Sequence, residues 1–169
     1  MAENLESARA LALRMLARRA YGEAQMRARL RRAGFEREAE EVLHWLVELG
    51  YLNDAAYARD RARTLVSRGL GPDEAMRRLA GDGVPAELAR GAVRAFLDEG
   101  VPKLAGEDEG REPAELLLCR AAAARKLKGR DPKTLDLEAR ARLVRFLVGR
   151  GFSPEAAARA ADLPEDAPP

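Results

Sequence analysis

The stretch Arg29-Leu30-Arg31-Arg32-Ala33-Gly34-Phe35 decides the fold. It begins as a charged helix and ends on a glycine followed by one apolar residue. Glycine adopts the left-handed conformation that closes a helix, and the apolar side chain after it packs back onto the preceding turn. The pattern returns at Arg78-Leu79-Ala80-Gly81-Asp82-Gly83-Val84 and again at Phe146-Leu147-Val148-Gly149-Arg150-Gly151-Phe152. In each case a new helix start follows. A pattern that recurs in the same structural setting is an internal repeat.

Outward from these turns, the apolar residues keep helical spacing. Leu5, Ala8, Leu11, Ala12, Met15 and Leu16 form one stripe; Met26, Leu30 and Ala33 follow the break at Tyr21-Gly22. Ala39, Val42, Leu43, Leu46 and Leu49 form a third, closed by Gly50. Asp54 is placed to cap a fourth helix carrying Tyr57, Ala58, Ala62 and Leu65. Gly69 and Gly71 end that helix and Pro72 opens a fifth; Pro85, Pro113, Asp136 and Ser153-Pro154 start four more. Composition agrees, because the chain has no Ile, two Thr and eight Val, too few β-branched residues to build a sheet. The expected fold is all-α: three tandem three-helix repeats, helix-turn-helix-like, in an elongated and curved molecule. The repeats are expected at 1–52, 53–100 and 113–163, with an acidic Pro/Gly linker at 101–112 and a disordered tail at 164–169. A unit of roughly 50 residues is marginal alone, so neighbours must stack to bury what each cannot.

Several function classes drop out. The one cysteine, Cys119, has no partner for an intramolecular disulfide, which points to a reducing, cytoplasmic setting. The first residues contain Glu3 and no apolar run, so no signal peptide is expected, and no segment suits a membrane span. The one histidine, His44, has no Cys or His pair to complete a zinc site. No phosphate-binding loop and no nucleophile–base pair is visible, so neither a cofactor nor an enzymatic activity is expected. We expect a monomer.

The order of motifs resembles the RecX family, bacterial regulators of the RecA recombinase. Gly50-Tyr51-Leu52-Asn53-Asp54-Ala55-Ala56-Tyr57-Ala58 is similar to that family's G-Y-L-D-D-x-x-[FY]-A signature, with Asn53 in place of the usual Asp. Leu13 to Tyr21 resembles its N-terminal stretch, where Gly22 replaces a capping Ser and Gln25-Met26 replaces Glu-Leu. Gly71-Pro72 followed by Leu79 resembles the second repeat, and Arg150-Gly151-Phe152-Ser153 the third. The resemblance implies three helical repeats that lodge in the groove of a RecA–DNA filament and block or destabilise it. Gly50, Tyr51, Leu52, Asp54 and Tyr57 are expected to be structural, with Tyr51, Leu52 and Tyr57 forming core between the first two repeats and Asp54 acting as a cap.

The balance of 30 Lys+Arg against 28 Asp+Glu hides a segregation of charge. Between Ala8 and Phe35 lie Arg9, Arg14, Arg18, Arg19, Arg27, Arg29, Arg31 and Arg32, opposed only by Glu23. The third helix is acidic, with Glu36, Glu38, Glu40, Glu41 and Glu48 in or near it. A second basic block holds Arg120, Arg125, Lys126, Lys128, Arg130, Lys133, Arg140, Arg142, Arg145 and Arg150. From these blocks, Arg14, Arg18, Arg27, Arg31, Arg32, Arg120, Arg125, Lys126, Lys128, Arg142, Arg145 and Arg150 are the candidate contacts to RecA or to phosphates of single- and double-stranded DNA. Direct, non-sequence-specific DNA binding by a helical repeat protein is the rival reading. Base readout is disfavoured, because it draws on Asn and Gln as well as Arg, and the chain has one Gln and two Asn. Trp45 is expected to anchor a core or a contact between repeats, and Cys119 to be a small buried hydrophobe.

Overall fold

A computed structural model describes residues 2–99 and 113–163. The linker expected at 101–112 and the tail expected at 164–169 lie outside the described residues. Among the described residues there are nine α-helices and no strand: α1 (Ala2–Leu16), α2 (Glu23–Arg32), α3 (Ala39–Glu48), α4 (Asp54–Ser67), α5 (Pro72–Gly81), α6 (Ala86–Glu99), α7 (Ala114–Leu127), α8 (Leu137–Gly149) and α9 (Pro154–Ala160), with a 3-10 turn at Pro132–Thr134 before α8. They fall in chain order into three triplets.

The repeated glycines close the second helix of every triplet. Gly34, Gly83 and Gly151 have φ of 89°, 85° and 87°. The amide after each donates back to the helix: Phe35 to the Leu30 carbonyl at 3.0 Å, Val84 to Leu79 at 3.0 Å and Phe152 to Leu147 at 3.3 Å. Val84 and Phe152 are buried and Phe35 is half-buried, as the hydrophobic contact of this cap requires.

Two sequence expectations are corrected. Asp54 does not cap α4. Asn53 does, its side chain accepting from the Ala56 amide at 2.9 Å. Asp54 instead accepts from the Glu23 amide at 2.8 Å, so it caps α2 of the first triplet from the start of the second. Gly22, the N-cap of α2, has no side chain to do so, and a Cβ there would sit 3.1 Å from the Asp54 carboxylate and 3.3 Å from the Tyr57 ring. The signature tyrosine Tyr51 is not core; it is 58% exposed on the α3–α4 turn. Leu52 and Tyr57 are buried, but on different sides of the junction.

The reason is that the apolar residues form two clusters. Ala8, Ala12, Met26, Leu30, Val42 and Leu46 belong to a core within the first triplet, which Leu52 joins and on which Trp45 packs half-buried. Tyr57 belongs to a second, larger core running through α4 to α9, with Leu65, Leu79, Leu116, Leu147 and Phe152 at its centre. Each such side chain contributes about 1.5–3 kcal/mol by leaving water.

The middle and last triplets also meet through backbone. The Gly71 amide donates to the Arg150 carbonyl at 2.8 Å and the Asp73 amide to the Gly151 carbonyl at 3.1 Å. Donors at the start of α5, which no turn of α5 satisfies, are thus met by acceptors at the end of α8. Arg125 and Arg150 finish the joint. Arg125 Nη1 donates to the Ser67 carbonyl at 3.0 Å; Arg150 donates to Gly69 through Nε at 2.7 Å and to Arg68 through Nη2 at 2.9 Å. These are carbonyls at the C-terminus of α4, where positive charge is favoured. The first and middle triplets meet through side chains. Gln25 of the first triplet donates to Asp82 at 2.9 Å, and within the middle triplet Arg61 at 2.8 Å and Tyr57 at 3.2 Å hold the same carboxylate. Burial, then the charge of Asp82, pushes the Tyr57 phenol above its ordinary value.

Three substitutions test this packing. A Cβ on Gly71 would lie 2.2 Å from the Gly151 carbonyl oxygen, so Gly71→Ala is expected to lose about 3 kcal/mol in urea denaturation. Gly91, within α6 with nothing within 4 Å of its Cβ position, is the contrast: Gly91→Ala is expected to gain roughly 0.5–1 kcal/mol. Cys119 is fully buried, and burial pushes its thiol from 9.0 to about 12. The folded state then holds this proton more tightly than the unfolded chain, so the stabilisation is present below pH 9.0 and is lost as pH rises toward about 12. Cys119→Ala is expected to flatten that alkaline decline in thermal melts, and in the wild type a thiol reagent should label Cys119 only on unfolding.

Candidate functional site

The candidate contacts separate according to whether a carboxylate or carbonyl lies within reach. On one side of α2, Arg27 forms a two-pronged contact with Glu40, Nε at 2.7 Å and Nη2 at 3.1 Å, and Arg31 reaches the same carboxylate at 3.4 Å. The hydrogen bond from Arg27 holds the Glu40 carboxyl below its usual range, and the same bond raises Arg27. The acidic third helix therefore neutralises these two arginines. Arg9 is held likewise by Glu6 at 3.1 Å and Glu41 at 3.6 Å, and lies 5.0 Å from the Trp45 ring centre.

The opposite side of α2 carries no such compensation. Arg14 and Arg18, on and just after α1, face Arg29 and Arg32 of α2 across a groove of about 600 Å³. Leu11, Met15, Tyr21 and Ala33 complete its lining. All four arginines are exposed, and among the described residues none pairs with a carboxylate. Arg29 belongs to the basic block read from the sequence but not to its candidate contacts; only the packing of α2 against α1 reveals it as part of this wall.

The second basic block divides three ways. Arg125 and Arg150 are engaged at the joint with α4. Lys126 lies with its ammonium 4.8 Å from the centre of Phe146, and the Arg150 guanidinium lies 5.5 Å from the same ring. Arg142 is 3.7 Å from Glu138, one turn earlier, while Arg145 is exposed. Lys128 takes the left-handed position, φ 52°, that ends α7, and is exposed. Arg120 lines a pocket of about 330 Å³ together with Arg130, Lys133 and Arg159. Asp131 and Asp162 lie there too, but Asp131 accepts from the Lys133 amide at 2.9 Å and Asp162 is paired with Arg140 at 3.2 Å. Arg159 was not legible as a contact, since it is the single basic residue of an alanine-rich helix of seven residues and lies outside both basic blocks. The site as a whole is two concentrations of positive charge, one per terminal triplet. Donors of this kind bind carboxylates and phosphates through charge-assisted hydrogen bonds. Among the described residues no helix is long and apolar enough to cross a membrane.

Comparison with known proteins places this geometry. The profile described as "RecX, first three-helix domain" matches residues 8–46, and that of "RecX, third three-helix domain" matches residues 118–160. The regulatory protein RecX of Thermus thermophilus is 36% identical over 143 residues, covering 85% of this chain and 82% of that protein. The RecX protein of Acidithiobacillus ferrooxidans is 37% identical over 147 residues, covering 86% and 83%. In three dimensions the crystal structure of RecX from Lactobacillus salivarius superposes with a TM-score of 0.73 at 17% identity, covering 96% of this chain and 97% of that one. With nine helices in three triplets and relatives of this identity along most of its length, the chain belongs to the RecX family of regulatory proteins.

Proposed function

We propose that this protein binds in the groove of a RecA–DNA filament and inhibits or modulates RecA, acting on its ATPase, strand-exchange and SOS co-protease activities. The observation that carries the proposal is the pair of basic concentrations, Arg14, Arg18, Arg29 and Arg32 in the first triplet and Arg120, Arg130, Lys133 and Arg159 in the third. The middle triplet lies between them along the chain and is tied to both. A filament groove lined by protein carboxylates and DNA phosphates offers anionic partners to both regions at once. Two weak contacts joined by one body bind far more tightly than either alone, since the second becomes intramolecular. Binding through phosphates alone would instead give association with any DNA, with a salt slope set by the number of phosphates neutralised.

The deciding experiment is co-sedimentation with RecA filaments, alongside DNA-dependent ATPase and strand-exchange assays, with naked DNA of the same length as the comparison. Tight filament binding with weak binding to bare DNA supports the proposal; equal affinity for both supports the DNA-binding reading. Arg14→Glu with Arg18→Glu, and Arg130→Glu with Lys133→Glu, are each expected to weaken filament binding at least tenfold and to reduce its salt dependence. Asp54→Ala and Arg150→Ala serve as the opposite case. Asp54→Ala should cost about 1 kcal/mol of stability through loss of the α2 cap, and Arg150→Ala should lower the melting temperature through the α4 carbonyls. Both should keep filament affinity when measured on fully folded protein.

A further inference from the structure

We infer that the groove between α1 and α2 is a docking site for an acidic, amphipathic segment of a protein subunit, and that DNA contact falls elsewhere on the molecule. The inference rests on the filament reading above and deepens it by assigning one face to one class of partner. Arg14, Arg18, Arg29 and Arg32 leave four uncompensated guanidinium groups around one groove. A guanidinium matches a carboxylate through two parallel hydrogen bonds, so this rim is suited to closely spaced Asp or Glu side chains.

The floor decides between carboxylates and nucleic acid. Leu11 and Met15 lie half-buried along it. A phosphodiester backbone gains nothing from apolar side chains, whereas an amphipathic peptide sets its apolar face into such a groove, and Met adapts to the shape it receives. Single-stranded nucleic acid would use the floor only by stacking bases on aromatic rings. Tyr21 is the one aromatic residue in the groove, and the Arg19 guanidinium already lies over its ring at 3.7 Å. The pocket of the third triplet differs on each count: small alanines and Pro132 replace the large apolar side chains, and its basic groups stand beside Asp131 and Asp162. The apolar floor, the single occupied ring and the uncompensated rim all favour a peptide.

The test reads which molecule occupies the groove in the assembled complex. Ala33 is exposed and lines the groove, so a photo-crosslinking benzoylphenylalanine at position 33 of the full chain reports directly on the occupant. Co-sedimentation with RecA filaments is measured first; no association there overturns the filament reading itself, and with it this inference, before any irradiation. After irradiation of a bound complex, the expected product is an adduct to the recombinase subunit, mapped to a peptide with at least two Asp or Glu beside an apolar residue. Arg14→Glu with Arg18→Glu should reduce the adduct at least tenfold. Arg29→Glu with Arg32→Glu, on the other wall, should do the same and covers the case in which the first pair disturbs folding. An adduct to DNA alone, an adduct to a peptide without acidic residues, or no adduct while co-sedimentation persists would each overturn the assignment.

Discussion

Satisfying the ends of short helices is the constraint from which this structure follows. Helices of 7 to 15 residues leave a large share of their backbone groups without an intrahelical partner. Local capping handles part of the demand: Asn53, Asp136 and Ser153 each cap their own helix. The remainder is met from elsewhere in the chain. Asp54 caps α2, the carbonyls at the end of α8 receive amides from the start of α5, and Arg125 and Arg150 close the end of α4. Glu115 of α7 likewise accepts from the Ser153 amide at 2.7 Å. The Glu115 bond lies within the last triplet, but a triplet cut from its neighbours would expose the ends of α2, α4 and α5, so linkage between triplets is part of how each one folds.

The two joints are built from different materials, and this decides what holds the triplets together. Between the middle and last triplets, a shared apolar core and a glycine-to-glycine backbone contact leave no slack, and separating them means exposing the core. Between the first and middle triplets, the apolar clusters are separate and the link runs through side chains around Asp82 and Asp54. Each such hydrogen bond is worth about 1 kcal/mol net. Separating the first triplet therefore breaks a few hydrogen bonds and the close approach of Gly83 to Ala24 rather than a shared core.

Local features were legible in the sequence and long-range ones were not. The helices, their breaks and the recurring glycine closures follow from spacing within a few residues, and the glycines at 34, 83 and 151 do adopt the left-handed conformation. Cys119 reads correctly as buried because its neighbours Leu116 and Leu118 share its environment. Asp54 was read as a cap of the helix it begins, since local reasoning assigns a cap to the nearest helix; its true partner is 31 residues away. Tyr51 was read as core from its place beside Leu52, yet the turn at Gly50 directs Leu52 inward and leaves Tyr51 outside. The candidate arginines could not be ranked either. Arg27 and Arg14 look alike as residues, and only the position of Glu40 distinguishes a compensated guanidinium from a free one.

That distinction explains what a nearly neutral chain gains by carrying so many arginines. Had the basic residues been spread evenly and left uncompensated, the protein would attract any polyanion, and competing DNA would hold it away from a specific partner. Here the acidic third helix removes Arg27 and Arg31 from play, and the joint with α4 removes Arg125 and Arg150. Among the candidate contacts, Arg14 and Arg18 line a groove with an apolar floor, Arg120 lines a pocket that lacks one, and Lys128 and Arg145 stand exposed outside both. Under the function proposed above, a partner would gain full affinity only by matching both the charge and the apolar surface of the groove. Selectivity of that binding would then come from which positive charges are cancelled, as much as from those left exposed.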